Sequence, residues 1–574
     1  MKRICVCLAV TIGVAFLSVS AAAAERSWVE IKTDHFTVVS DAGEKRARAI
    51  GWEFEQIRLA LASLWSWARV DADRPILIVA ANDESTMKAL APQYWEQKGA
   101  VHPESVFVTG PDRHYILLRS DVKVSDTQAL NPYRAAYWSY TALVLRSSAP
   151  RELPLWYFLG LVEVMSNTIV RETHIDVGHA IPWHLRRLRD HSRMPVAELL
   201  AADSKSPWFQ QADRRPDFDA AAWSLVHYLM FADEGAHRQQ LDRFAALVLD
   251  GQTPAGAAET VFGNLQTLDG AIAQYMTRQL FGYIRLNVDL KLKADSFPSR
   301  AMAAGESGAA QASVHLAMQR PVDARASIER ARKENSNLAA SFDAEALLLD
   351  MERKTADAQA MYAKAMELGS TNFYTYYRWA SLAGLGDAPD RARIDQALQK
   401  ATALNDRFAA AWTLLAEARL RLGQREDALK FAQRAGATAA TDGERLAAQR
   451  LIELSAKSAP PAQSGEWPPA GVSRPNRDGV RLPRLVREVK PKYTAEAMRA
   501  KIQGTVALEC VVLPDGKVGA IRVVRSLDST FGLDQEAMAA AKQWQFEPGA
   551  KDGLPVPVLI TVELTFTLGK TPER

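Results

Sequence analysis

The spacing of apolar positions changes three times along this chain, and the changes mark its organisation. Ile4–Ser20 is apolar and uncharged, preceded by Lys2 and Arg3 and followed by the alanines Ala21–Ala24. In Trp28–Ser40 (WVEIKTDHFTVVS), Phe36, Val38 and Ser40 alternate with Thr37 and Val39, which predicts a strand. Glu44–Trp67 carries Trp52, Phe54, Ile57, Leu61 and Leu64 at helical period, and Arg74–Ala81 (RPILIVAA) reads as a buried strand. Strands and helices stay mixed to about Asn287. A helical repeat then takes over, with small and apolar residues in register: Ala324, Ile328 and Ala331; Ala358, Tyr362 and Ala365; Ile394, Leu398 and Ala401; Ala428, Ala432 and Ala435. Ala331, Ala365, Ala401 and Ala435 follow one another at 34, 36 and 34 residues, the longer step absorbing the loop Gly386–Pro389.

Pro and small polar residues fill Ala459–Pro469, the composition of an extended, unpacked linker. Strands return after Leu482. Thr505–Leu513 leads through a turn, Pro514–Lys517, in which Gly516 can take positive φ, into Val518–Ser526. A helix opens at Leu533–Asp534 and the last strand is Val558–Leu568. There Ile560, Val562, Leu564, Phe566 and Leu568 face one side, and Thr561, Glu563, Thr565 and Thr567 the other.

With 574 residues the chain is too long for a single core, so about three or four domains are expected. A net charge of +3, without a basic stripe interleaved with aromatics, gives no argument for a nucleic-acid partner. The N-terminal pattern reads as a secretory signal removed after Ala24, which implies a periplasmic or secreted protein. The alternative is an uncleaved inner-membrane anchor, since the 21 residues Ile4–Ala24 are just enough to span a bilayer. Cys5 and Cys7 lie in the signal, so cleavage leaves Cys510 alone, without an internal disulfide or a cysteine metal site. Cys510 shares a strand face with Val506, Leu508 and Val512 and is expected to be a buried thiol.

The repeat of about 34 residues with small–large–small spacing resembles the tetratricopeptide repeat. Alanine on one helix lets the next approach closely, and the larger residue fills the groove. Trp412, Leu415, Ala416 and Gly423 take the matching places in the first helix and turn of the last repeat. Such arrays stack into a solenoid, and the resemblance implies a peptide segment as its ligand.

Tyr137–Leu145 (YWSYTALVL), Pro154–Glu163 (PLWYFLGLVE) and Ala222–Leu229 (AWSLVHYL) resemble, in this order, three segments of gluzincin-type zinc peptidases. That family places a His-Glu-x-x-His helix first, then a Glu-Gly-Leu-Ala-Glu segment, then Ser-Trp-x-Leu-Val-His-Tyr-Leu. Zinc chemistry needs two imidazoles one helical turn apart, a carboxylate ligand and a glutamate base. The matching positions here are Trp138 and Ala142 for the histidines, Ser139 for the base and Leu159 for the carboxylate. None can do that chemistry, and shifting the register to Tyr137, Trp138 and Thr141 does not restore it. Trp156, Gly160, Leu161, Glu163, Trp223 and His227 are retained, which implies a pseudopeptidase, without zinc or another cofactor. His174, His179 and His184, five residues apart with Asp176 among them, fit no single helix face. Gly178 and Pro182 predict a loop there. His227, in an apolar helix, is expected to be a hydrogen-bonded core histidine.

Pro491–Leu568 resembles the TonB C-terminal domain. It carries Pro491-Lys492-Tyr493, Gly504 before a strand, Asp515-Gly516 between two strands, Leu533-Asp534 at a helix start and Trp544-Gln545-Phe546-Glu547-Pro548 before the last strand. The resemblance implies contact with envelope proteins, including outer-membrane receptors, by strand addition, which needs exposed backbone and a few pockets. Val558, Ile560, Thr561, Glu563, Thr565 and Thr567 are the candidate partner-binding residues. TonB itself stays anchored by a helix with a histidine that couples to a proton-driven motor. Ile4–Ala24 has no histidine or acidic residue, which puts energy transduction in doubt.

The expected architecture is multidomain α+β. It comprises a signal (residues 1–24), a degenerate metallopeptidase-like α+β domain (25–290), an all-α tetratricopeptide-like solenoid (300–456), a Pro-rich linker (457–482) and a small α+β TonB-like domain (483–570). The expected role is an exported interaction scaffold, not an enzyme. An anchored TonB-type energy transducer and a hydrolase with an unrecognised site are the alternatives.

Overall fold

The computed structural model describes residues 27–567 apart from 66, 97–101, 124–129, 149–152, 192, 290, 385–389, 457–466, 475–478, 495–496, 499–501 and 528–531. The expected signal, the loop Gly386–Pro389, the linker up to Glu466 and Leu568 lie outside the described residues. The chain divides into two units, residues 1–372 and 373–574.

In the first unit Ile76–Ala81 has no polar alternation, and all six residues are buried. A strand of that kind must be covered on both faces. It lies inside a six-stranded sheet ordered Ser105–Thr109, His114–Arg119, Ile76–Ala81, Phe36–Ser40, Val29–Lys32, Ser299–Ala301. The pairs of Ile76–Ala81 with Phe36–Ser40 and with His114–Arg119 are parallel; the outer pairs are antiparallel. Val38, Ile76, Ile78 and Ile116 face a cluster with Phe54, Ile57 and Leu61 of the helix Glu44–Leu64. Val39, Leu77, Val79 and Leu117 face the opposite way, onto Met87, Leu90 and Val314. Val314 belongs to Glu306–Ala317, the first helix of the array, so that helix completes the second face of the sheet.

Two expectations are corrected here. Trp28–Ser40 is a hairpin, Val29–Lys32 against Phe36–Ser40, and not one strand. The backbone N–H of His35 donates to the Glu55 carboxylate at 2.9 Å and that of Phe36 to Thr33 Oγ1 at 2.9 Å, so side chains take the donors at the bend. The α/β part also does not stop at residue 290, because Ser299–Ala301 pairs with Val29–Ile31 at the sheet edge.

Three helices, Arg134–Ser148, Leu155–Ser166 and Arg215–Phe231, pack together beside the sheet. Gly160 makes the closest approach possible. A Cβ there would lie 2.6 Å from the carbonyl oxygen of Ala222 and 2.4 Å from Val226 Cγ2.

The array consists of successive helices: Glu306–Ala317, Pro321–Glu334, Ala339–Met351 and Thr355–Glu367 in the first unit. Phe373–Ala383, Arg391–Leu404, Ala409–Arg421, Arg425–Thr438 and Asp442–Ala456 follow in the second. All twelve residues of the repeating small–large–small pattern are buried. The backbone repeats as well. Gln319, Arg353 and Gly423 are left-handed, with φ of 61°, 61° and 75°. After each, a backbone N–H bonds five residues back at 2.9 Å: Arg320 to His315, Lys354 to Leu349, Gln424 to Arg419. This is the common bond that closes a helix through a left-handed residue, and here it follows Glu306–Ala317, Ala339–Met351 and Ala409–Arg421.

The second unit also contains the C-terminal α+β domain. Its sheet is ordered Val518–Arg525, Gly504–Val512, Val558–Phe566. The helix Leu533–Ala541 covers one face through Leu533, Ala537, Ala540 and Ala541, against Val506, Leu508, Cys510, Leu564 and Phe566. A short ladder joins Arg484–Arg487 to Gln545–Glu547. The linker expectation is corrected at its end. Trp467–Ser473 is packed on this sheet, and Ser473 and Arg481 both bond into the domain, which therefore begins before residue 483.

Candidate functional site

The TonB-like motif residues each have a local reason. Gly516 sits at φ +80°, and a Cβ there would lie 2.2 Å from the backbone oxygen of Phe546. The same turn accepts the Phe546 N–H at 2.8 Å, so turn and strand are joined through a position only glycine fits. Asp534, though buried, accepts from Ser526 Oγ at 2.6 Å and from the Leu527 N–H at 3.1 Å, which ties the helix start to the preceding strand end. Trp544 Nε1 donates to the Val489 carbonyl at 2.8 Å. Cys510 is buried, and burial pushes its thiol up to about 12.

Val558–Phe566 is an edge strand. It pairs with Gly504–Val512 without a register shift, from Gly504 opposite Phe566 to Val512 opposite Val558. The Leu559 N–H points away from that ladder and bonds Ser473 O at 3.0 Å. Strand alternation then turns the backbone groups of Thr561, Glu563 and Thr565 to the same outer edge. Among the described residues no strand lies against them. Thr561, Glu563, Thr565 and Thr567 are exposed, while Ile560 is half-buried against the core. Glu563 pairs with Arg525 at 2.7 Å, and Thr565 Oγ1 lies 3.1 Å from Thr505 Oγ1.

Val558 departs from its expected place. It is fully buried, and Ser473 bridges to it. It offers a partner neither side chain nor free backbone. Leu559, which the alternation passed over, carries the outward donor at that end. The adjacent apolar pair Val558-Leu559 was the available signal that both faces are covered there.

In the first unit the positions matching zinc ligands lie among packed helices. Ala142 and Leu159 are buried apolar residues. Trp138 Nε1 donates to Glu163 Oε1 at 2.9 Å. Glu163 also accepts from Arg134 at 2.8 Å and from His184 Nε2 at 3.0 Å. Burial alone would raise the Glu163 carboxyl, but the hydrogen bond from His184 and the charge and hydrogen bond of Arg134 outweigh it, leaving it below its usual range.

The three evenly spaced histidines are not one site, and they do not share a loop. His174 lies on the strand His174–Val177 and His184 in the helix Pro182–Asp190. His174 and His179 flank Asp176 at 3.5 and 3.7 Å, and Arg285 grips Asp176 at 2.7 and 3.0 Å. Among the described residues no group of three His, Cys, Asp or Glu is gathered to hold a metal ion. His227 is a core histidine. Its Nε2–H donates to the Gly178 carbonyl at 2.9 Å, its Nδ1 meets the Tyr275 hydroxyl at 3.0 Å, and burial lowers it to about 4. Among the described residues no helix is long and apolar enough to cross a membrane.

Comparison with known proteins places the match on the C-terminal domain. The family model for the Gram-negative bacterial TonB protein C-terminal matches residues 489–568. Protein TonB of Vibrio cholerae is 36% identical over 81 residues, covering 14% of this chain and 33% of that protein. Protein TonB of Escherichia coli is 30% identical over 91 residues, covering 16% of this chain and 36% of that one. The crystal structure of the yeast Tom70 superposes with a TM-score of 0.23 at 13% identity, covering 48% of this chain and 57% of that one, too loosely to carry an argument. The chain spans about a third of the length of these TonB relatives, and its likeness to them lies in the C-terminal domain.

Proposed function

We propose that this protein is an exported interaction scaffold of the bacterial envelope whose C-terminal domain binds partners by accepting an extended strand at Val558–Phe566. The observation that carries this reading is the outward-facing backbone at Thr561, Glu563 and Thr565, in a domain similar to the TonB C-terminal family. Backbone hydrogen bonds supply most of the affinity in such pairing, so partner sequence can vary. Envelope proteins, including outer-membrane receptors, are the proposed partners of this edge, and a peptide segment that of the helical array. The region 25–290 is a pseudopeptidase in this reading: Ala142 and Leu159 are buried apolar residues and Trp138 is bonded to Glu163 where zinc chemistry would need ligands.

The test is a binding titration of the full chain against envelope receptor peptides. Because the Thr565 N–H faces the open edge, Thr565→Pro removes a donor for the partner while sparing the existing ladder. Weaker binding is expected with an unchanged circular dichroism spectrum, and Thr565→Ala is expected to bind like the parent. Parental affinity in a folded Thr565→Pro chain would place the partner elsewhere. The anchored-transducer reading is separated by the mature N-terminus. Release by osmotic shock with Glu25 first supports export, whereas Met1 retained in the inner membrane supports an anchor. A zinc-to-protein ratio near one after dialysis would end the pseudopeptidase reading.

A further inference from the structure

The acceptor edge is partly occupied by the chain's own preceding segment. Trp467 lies on the outer face of the sheet. Its Nε1 donates to Glu509 Oε2 at 2.6 Å, and the Arg522 guanidinium sits over its ring, 5.0 Å from the centroid. Arg522 also pairs with Glu509 at 2.9 Å, so indole, carboxylate and guanidinium form one cluster. In the register of the sheet Glu509 stands opposite both Arg522 and Thr561. The cluster therefore sits on the row that contains the first open position of the edge. Six residues on, Ser473 reaches the edge itself. Its N–H donates to Pro557 O at 2.9 Å, and its carbonyl accepts from the Leu559 N–H at 3.0 Å.

Among the described residues these contacts satisfy the outward donor of Leu559 and leave those of Thr561, Glu563 and Thr565. An incoming strand that also paired at Leu559 would have to displace Ser473, exchanging two backbone bonds for new ones with little net gain. We propose that Trp467–Ser473 is a built-in stop that sets the register and length of the partner strand. The segment selects extended peptides that pair at Thr561, Glu563 and Thr565 and end there, and it disfavours longer ones. Trp467 is the positioning residue that holds Ser473 in place. This rests on the strand-addition reading above.

The test compares the full-length parent with Trp467→Ala and Ser473→Pro. The probes are two synthetic peptides of alternating Val and Thr with lysine at both ends. One spans only Thr561–Thr565, and the other also reaches Leu559. Circular dichroism checks folding, and amide exchange at Leu559 reports release of Ser473. Trp467→Phe, which keeps the ring but not the indole donor, is expected to fall between parent and Trp467→Ala. Freeing one or two backbone hydrogen bonds corresponds to about fivefold to thirtyfold tighter binding of the longer peptide. The shorter peptide should bind all chains alike, and Leu559 exchange should accelerate in both Trp467→Ala and Ser473→Pro. Equal affinity of all chains for the longer peptide overturns the stop while strand addition stands. If no chain, the parent included, binds either peptide, strand addition itself fails and the stop with it.

Discussion

His227 makes the folded first unit sensitive to acid in a window that can be calculated. The ring is enclosed among Trp223, Phe231, Tyr275 and Phe281 and satisfied in its neutral form by the Gly178 carbonyl and the Tyr275 hydroxyl. Burial depresses its folded pKa from the ordinary 6.5 to about 4. The unfolded chain takes up this proton below about pH 6.5 and the folded chain only near pH 4. Acid therefore favours unfolding throughout that interval, and above it both forms are neutral and the effect vanishes. At about 1.4 kcal/mol per pH unit, the gap of roughly 2.5 units is worth about 3 kcal/mol, lost progressively as pH falls from 6.5 to 4. Carboxylates such as Glu163 and Asp176, held below their usual range, add a separate loss at the acid end. A substitution isolates the histidine. His227→Gln keeps a donor and an acceptor but does not titrate, at a cost of about 1–2 kcal/mol near neutrality. Urea unfolding of both chains, followed by tryptophan fluorescence at pH values between 7.5 and 4, should give stability curves that converge on acidification and cross before pH 4. Parallel curves, with the parent keeping its neutral-pH advantage at pH 4, would refute the argument.

Three further outcomes follow from geometry. Glu163→Ala leaves the Arg134 charge, the Trp138 indole and the His184 ring without their shared acceptor, and should destabilise the first unit by about 3–5 kcal/mol in urea titrations at pH 7. Glu163→Gln, whose single amide oxygen can still accept from Arg134 and His184 but not also from Trp138, should cost less, and its deficit should shrink as pH falls below the ordinary glutamate value of 4.5, because the carboxylate's contribution is lost as pH falls through its depressed pKa. Gly516→Ala forces a Cβ against the Phe546 carbonyl at positive φ and should lower the stability of the C-terminal domain by about 2–4 kcal/mol, read by circular dichroism melts.

What the chain revealed in one dimension was whatever has a short period. The small–large–small pattern from Ala324 to Ala435 named residues that prove buried, because helix packing repeats its demands every turn. The alternation in Val558–Phe566 separated Thr561, Glu563 and Thr565 from the core for the same reason. The turn at Gly516 was legible because backbone conformation there depends on one residue type. Tertiary structure decided everything that joins distant segments. Only folding pairs Ser299–Ala301 with Val29–Ile31, and so carries the α/β sheet past its expected end. Even spacing grouped His184 with His174 and His179, but a strand and a helix carry them to different carboxylates, Glu163 and Asp176. The Pro-rich composition before Pro469 implied an unpacked linker, yet Trp467 and Ser473 find Glu509 and Leu559 once the sheet exists. Local pattern states which face a residue turns to its own element, whereas the partner it meets there is fixed by chain closure over tens to hundreds of residues, which no periodicity encodes.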